Sequence, residues 1–279
     1  MIRKVVIPAA GLGTRLLPMT KELPKEMLPI FFKGKSGKVY LKPMLQAIFE
    51  QLYDVGFREF CFIVGRGKRA IEDHFTPDWG FVEYLKDRNK AELVDDLQEF
   101  YAKIEDSTII FVNQPRPRGF GDAVFRAKGF TGSEDFLVHA GDDFILSKDS
   151  GHVKKLIKAL KELKADAVLL VERVKDPRRY GVVKGVQFSG GVIKVKNVVE
   201  KPKVPRSDVA IVAVYVFKPK IYHEIDEVEP DESGEIQLTD AIQSLIDRGG
   251  IVYAVELEGK RIDVGTSEAY WNALNTTYK

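Results

Sequence analysis

Of the 279 residues only one, Cys61, is a cysteine. No intramolecular disulfide can form, and a reducing compartment is the expected setting. The flanking run Glu59-Phe60-Cys61-Phe62-Ile63-Val64 reads as a strand, so the thiol is expected to be buried and inert. Long apolar runs are missing too: the stretch 210–217 lies in a run far too short to span a bilayer. Charge of one sign is also missing. Forty-three basic residues oppose 41 acidic ones, and a net charge of +2 gives no electrostatic case for nucleic acid or membrane as a partner. The four histidines, His74, His139, His152 and His223, show no metal-ligand spacing, and no Ser–His or Cys–His nucleophile is visible. The first strand begins by residue 4, which leaves no room for a signal peptide, so the expected location is cytoplasmic.

What is present is an alternation. Strand-like segments at 5–7, 60–64, 108–112, 136–140 and 167–172 are separated by helix-like ones at 43–53, 68–75, from about 122, and at 152–163. Alternating strands and helices imply βαβ units and right-handed crossovers. The expected fold is α/β: a doubly wound, mostly parallel, Rossmann-like mixed sheet with helices on both faces. Two stretches depart from the alternation. Residues 81–104 read as one long charged helix or two, an insertion at about 80–104. Residues 180–217 read as three β segments with Gly190-Gly191 as a hairpin turn, an antiparallel flap within a region of about 180–218. With no linker or repeat, residues 1–279 read as one domain.

The loop after the first strand, Ala9-Ala10-Gly11-Leu12-Gly13-Thr14-Arg15, carries the strongest chemical signal. Glycines let backbone N–H groups approach an anion, and Arg15 and Lys25 follow as cations. A dinucleotide fingerprint is excluded because Leu16 stands where its third glycine would be. A Walker-type phosphate loop is also excluded: Gly65-Arg66-Gly67-Lys68 and Gly34-Lys35-Ser36-Gly37-Lys38 lack its spacing.

Other segments offer matching chemistry, each beside a plainer reading. Gly141-Asp142-Asp143 places a carboxylate at a strand end, suited to a hard divalent cation or simply to an Asp-rich turn. Asp263, in Ile262-Asp263-Val264-Gly265-Thr266, offers a second carboxylate or a helix cap. Gln114 can both donate to and accept from the N3–H and carbonyl edge of a uracil-like base, or be an exposed loop amide. Glu200-Lys201 suits sugar hydroxyls and a phosphate, or is an ordinary ion pair. Tyr180-Gly181 brings bare backbone to a sugar, or makes a tight turn.

Taken in order, Ala10–Arg15, Pro24-Lys25-Glu26-Met27-Leu28-Pro29, Gly141-Asp142-Asp143, Tyr180-Gly181-Val182-Val183, Glu200-Lys201-Pro202 and Gly234-Glu235-Ile236-Gln237-Leu238-Thr239-Asp240-Ala241-Ile242 span nearly the whole chain. The chain resembles the bacterial and archaeal UTP–glucose-1-phosphate uridylyltransferases of the sugar-nucleotidyltransferase family. The resemblance implies transfer of a uridylyl group from UTP to glucose 1-phosphate with Mg²⁺ as cofactor. By correspondence Ala10, Gly11, Gly13 and Thr14 line the nucleotide, Arg15 holds the departing phosphates and Lys25 lies against them. Gln114 and Gly119 contact the base, and Asp142 and Asp263 hold Mg²⁺. Gly181 and Glu200 face the sugar, and Lys201 its phosphate. The resemblance also implies self-association as a dimer or tetramer, which no pattern in the sequence fixes. A thymidylyltransferase and a catalytically idle sugar-nucleotide sensor share much of this pattern. One departure stands out: Ala210-Ile211-Val212-Ala213 replaces an Ala-Ile-Val-Gly run expected before a strand, which puts sugar preference in question.

Overall fold

Val5, Val6 and Ile7 are all fully buried, which a strand achieves only when both faces of its sheet are covered. The computed structural model describes residues 2–33, 37–88 and 91–278. Those three residues lie in β1 (Lys4–Pro8), followed by an antiparallel hairpin of β2 (Pro29–Lys33) and β3 (Val39–Pro43). Then come α1 (Met44–Val55), β4 (Glu59–Val64), α2 (Arg69–His74), α3 (Trp79–Asp87), α4 (Ala91–Glu105) and β5 (Thr108–Asn113). The middle of the chain forms α5 (Phe120–Phe125), α6 (Lys128–Thr131), β6 (Phe136–His139), β7 (Asp143–Leu146), α7 (Gly151–Glu162) and β8 (Ala167–Arg173). The remainder is β9 (Gly181–Gln187), β10 (Val192–Glu200), β11 (Val209–Phe217), α8 (Ile221–Glu227), α9 (Leu238–Asp247), β12 (Val252–Glu256), β13 (Lys260–Asp263) and α10 (Ser267–Thr277). Residues 34–36 of the 34–38 run, and 89–90 between α3 and α4, lie outside the described residues.

Nine strands form the main sheet in the order β5-β4-β1-β6-β11-β8-β12-β10-β9. All of them except β10 and β11 run in one direction. Side chains alternate across it: Val5 and Ile7 enter one core with α1 and α7, while Val6 enters the other with α5, α8 and α9. The expected doubly wound mixed α/β sheet is what forms.

Two expectations are refined. The 81–104 stretch is a helical pair that buries Val82, Leu85 and Phe100; the Phe100 ring lies 6.1 Å from Phe49 and 5.4 Å from Phe75. The three β segments form the expected flap only in part: β9 pairs antiparallel with β10 along its length but meets β11 only at Val182 and Ala210. Gly190 and Gly191, at φ 73° and 71°, turn β9 into β10 at the sheet edge, but β11 inserts between β6 and β8 at its centre. The physical reason is that 209–212 and 214–217 are buried throughout, a pattern that belongs to a strand covered on both faces. Ala213 therefore lies inside β11, at an irregularity in its register between Val212 and Tyr215, and not before a strand.

Candidate active site

The carboxyl ends of β1, β4, β5 and β6 are stitched together. Ala9 N–H donates to the Ile63 carbonyl at 2.8 Å, Gln114 N–H to Val64 at 2.8 Å, and Gly141 N–H to Pro8 at 3.0 Å. Open α/β sheets bind ligands beyond these strand ends. Here a cleft of about 410 Å³ opens, lined by Ala10, Gly11, Gly13 and Thr14, by Gln114 and Gly119, and by Lys25 and Asp142. A larger cleft of about 540 Å³, lined by Lys42, Gln51 and Ser150 among others, holds none of the sequence-predicted residues.

Gly13 has φ +67°, a conformation in which a side chain is strained, and its carbonyl accepts a hydrogen bond from Thr20 Oγ1 at 2.7 Å. A Cβ on Gly11 would stand 3.2 Å from Lys25 Cε and Nζ, so the bare backbone gives the lysine its berth. Lys25 Nζ meets Asp142 Oδ2 at 2.5 Å. Burial works against both charges, but the pairing outweighs it: the Lys25 pKa lies above its ordinary value and that of Asp142 below. The cation and the carboxylate predicted for separate tasks thus neutralise each other. The neighbouring Glu26 is buried and pairs with Lys68 at 2.8 Å. Lys68 belongs to the Gly65–Lys68 run, whose glycine-lysine pattern marks an ion pair under the cleft instead of a phosphate loop.

Arg15 is exposed, and its Nη2 lies 3.1 Å from where a Cβ on Gly265 would stand, two residues beyond Asp263. Asp263 sits across from Asp143 in the β7–β13 ribbon. Its Oδ1 accepts from Gly265 N–H at 2.7 Å, and Thr266 Oγ1 caps α10 by accepting from Ala269 N–H at 3.1 Å. One oxygen each of Asp142 and Asp263 is therefore committed within the protein.

Gln114 Nε2 donates to the Gly119 carbonyl at 3.1 Å and to Asp122 Oδ2 at 2.8 Å. Both partners accept only, which fixes the amide and leaves its oxygen for a ligand. The expected donate-and-accept pairing with a base narrows to acceptance alone. Gly119, at φ +95°, has no room for a side chain: a Cβ would come within 2.7 Å of the Ile236 carbonyl. That carbonyl also accepts from Gly121 N–H at 2.9 Å, while Ile236 N–H donates to Arg118 at 2.7 Å. The 234–242 motif thus braces the loop that presents Gln114.

An adjoining cleft of about 180 Å³ shares Phe120 with the first. Gly181, Glu200, Ala213, Thr239 and Arg261 line it. Thr239 Oγ1 donates to Glu200 Oε2 at 3.1 Å, and a Cβ on Gly181 would reach within 2.7 Å of Thr239 Cγ2. Lys201 is not among the lining residues; its ammonium lies 3.1 Å from Glu200 Oε1. Asp122, Thr239, Glu26, Lys68 and Arg261 had no assigned site role in the sequence. Thr239 and Glu26 lay inside quoted motifs, but only spatial neighbours reveal what they hold.

A profile of the nucleotidyl transferase family matches residues 4–279. The chain belongs to this family. The UTP–glucose-1-phosphate uridylyltransferase of Bacillus subtilis (strain 168) is 39% identical over 270 residues, covering 95% of this chain and 87% of the relative. That of Pseudomonas aeruginosa is 33% identical over 283 residues, covering 100% and 97%. Among solved structures, a UDP-glucose pyrophosphorylase complexed with UDP-glucose matches with a TM-score of 0.85 at 32% identity, over 100% of this chain and 99% of that one. A UTP-bound relative from Acinetobacter baumannii matches with a TM-score of 0.85 at 30% identity, over 99% and 93%. The family membership drawn from the ordered motifs is borne out, and with it the assignment as a nucleotidyl-transferring enzyme. Among the described residues no helix is long and apolar enough to cross a membrane.

Proposed function

We propose that the protein transfers a uridylyl group from UTP to glucose 1-phosphate, releasing UDP-glucose and pyrophosphate. The observation that carries this reading is the pair of adjoining clefts: one joins a glycine loop to Lys25 and Gln114, the other presents Gly181 and Glu200, and Phe120 belongs to both. The named relatives point the same way. An oxygen of the sugar phosphate attacks the α-phosphorus of UTP. The bond to the bridging oxygen breaks, and pyrophosphate departs with its electron pair. No protein nucleophile is required, so positioning and charge stabilisation carry the catalysis.

In this reading the Gln114 oxygen accepts the N3–H of uracil, and Gly11, Gly13 and Thr14 line the nucleotide. Lys25 exchanges Asp142 for phosphate oxygens, and Arg15 holds the departing pyrophosphate. Glu200 accepts from sugar hydroxyls, with Thr239 fixing its orientation. Lys201 serves the phosphate only by leaving Glu200. Asp142 and Asp263 suit Mg²⁺: they are hard oxygen donors, and Mg²⁺ is commonly held by one or two carboxylates plus substrate phosphates. When bound, the ion supplies neutralisation of triphosphate charge. The single-domain organisation, a cytoplasmic location and self-association belong to the same proposal.

The test is pyrophosphate release by purified protein with Mg²⁺ and glucose 1-phosphate, comparing UTP with dTTP. Release with UTP well above dTTP is expected. Equal release would favour the thymidylyl reading or a base site blind to the thymine methyl. Binding of UDP-glucose with no release would support the idle sensor.

A further inference from the structure

The sugar cleft must accommodate a phosphate, and the described cations that line it are Arg179 and Arg261. Arg179 is exposed, whereas the Arg261 side chain is only 15% exposed. Arg261 Nε donates to both oxygens of Asp143, at 2.9 and 2.7 Å, and Nη1 donates to Glu172 Oε1 at 3.1 Å. Its guanidinium carbon lies 5.2 Å from the centre of the Tyr180 ring, next to Gly181. Two of its three nitrogens are thereby fixed, and among the described residues none accepts from Nη2.

We infer that Arg261 is a further acceptor-binding residue, whose Nη2 donates to the phosphate of the sugar 1-phosphate and holds it toward the α-phosphorus of the nucleotide. The inference rests on the proposed uridylyl transfer and adds the residue that orients its nucleophile. Three observations select phosphate over a sugar hydroxyl. A permanently charged N–H donor suits phosphate oxygens, whereas the carboxylate of Glu200 already offers the acceptor that hydroxyl donors need. Arg261 and Asp263 share one face of β13, about 7 Å apart along the strand, so the guanidinium stands beside the carboxylate placed at the reacting phosphates. Asp143 and Glu172 also temper its charge, which makes Arg261 a directional donor whose orientation is settled before the substrate arrives.

The experiment uses the full chain with Arg261→Lys and Glu172→Gln. Arg261→Lys keeps a cation for Asp143 but loses the fork; Glu172→Gln keeps the arginine but loosens it. Steady-state assays give KM for each substrate, and calorimetry gives the UTP dissociation constant without the sugar phosphate. Arg261→Lys is expected to raise KM for glucose 1-phosphate about 10- to 100-fold, the scale of one charge-assisted hydrogen bond, with UTP affinity unchanged. Glu172→Gln is expected to raise the same KM about threefold. An unaltered KM for glucose 1-phosphate in Arg261→Lys overturns the inference, as does an equal loss of UTP affinity, which marks a structural role. If Arg261→Lys does not fold, an unaltered KM in Glu172→Gln overturns it. A wild-type protein that releases no pyrophosphate overturns the uridylyl reading itself; a silent Arg261→Lys in an active enzyme overturns only the inference.

Discussion

Around the cleft proposed to hold the nucleotide, the lining groups come from short loops at neighbouring strand ends, and their charges are already paired inside the protein. Lys25 holds Asp142, Lys68 holds Glu26, and Asp122 holds both Gln114 and Arg126. Around the cleft proposed to hold the sugar phosphate, the groups come from segments far apart in sequence. Gly181, Glu200 and Thr239 are joined by packing and a single hydroxyl hydrogen bond, a lighter union, and only Arg261 among them is heavily paired, to Asp143 and Glu172. The difference has a consequence for substitutions. On the nucleotide side, removing one partner leaves another buried charge uncompensated, so activity and stability fall together. On the sugar side, Arg261 and its buried partner Asp143 apart, a substitution loosens orientation and shifts one substrate's KM with little effect on folding.

The largest effects are expected where phosphate charge is stabilised, and one pair of variants breaks the nucleotide side into two kinds of cation. Arg15→Ala and Lys25→Ala should each lower turnover by roughly 10²–10³-fold. Only Lys25→Ala should also lower the thermal midpoint, because it strands Asp142, while Arg15 is exposed. Equal melting of both variants would refute the pre-paired account. Next in size is Gln114→Ala. Preference for UTP over purine triphosphates should fall roughly 10- to 100-fold, measured as the ratio of kcat/KM values. An unchanged preference would remove Gln114 from the base site.

The same contrast explains how much was legible in the sequence. Ala10–Arg15 and Lys25 form a local signal, because a glycine loop and its cations must follow their strand closely. The alternation of strands and helices is local as well, so the doubly wound sheet could be read from it. The β11 insertion could not, since the order of strands is a long-range choice, and consecutive β segments look like a meander when read along the chain. Nor could the pairing of Gln114 with Asp122, which turns a two-way hydrogen-bonding amide into an acceptor. The Gly65–Lys68 run was excluded as a phosphate loop by its spacing, but the partner of Lys68, Glu26, could not be read along the chain. The sugar cleft was legible only as isolated fragments, because the contact of Thr239 with Glu200 spans 39 residues.

Acid offers a test of the comparison that needs no substitution. His74, His139 and His152 are mostly or fully buried and belong to α2, β6 and α7, whereas β9, β10, β11 and α9 contain no histidine. Burial lowers the pKa of His74 and of His139 to about 4, and that of His152 to about 3. Unfolded histidines titrate near 6.5. Below that value the unfolded chain binds protons that the folded chain refuses. The stability these groups contribute is therefore complete above about pH 6.5 and is lost as pH falls toward 4. Denaturant midpoints should decline through that window, and hydrogen exchange should rise first in β6 and α7. Exchange that rises first in β9 and β10 would count against this ordering.

A smaller effect tests the sugar side at its lightest joint. Thr239→Val preserves shape while removing the hydroxyl that donates to Glu200 Oε2. The cost to Glu200 is modest because its other oxygen still faces Lys201 at 3.1 Å. One neutral donor lost from a carboxylate should raise KM for glucose 1-phosphate about fivefold, since such bonds contribute on the order of 1 kcal/mol. KM for UTP and the thermal midpoint should stay at their native values, because Thr239 touches nothing in the nucleotide cleft's ion pairs. If UTP affinity fell in step, the brace from 234–242 would be carrying strain from one cleft to the other. The two clefts would then behave as one cooperative unit, and the division drawn between a pre-paired nucleotide side and a packed sugar side would fail at Thr239.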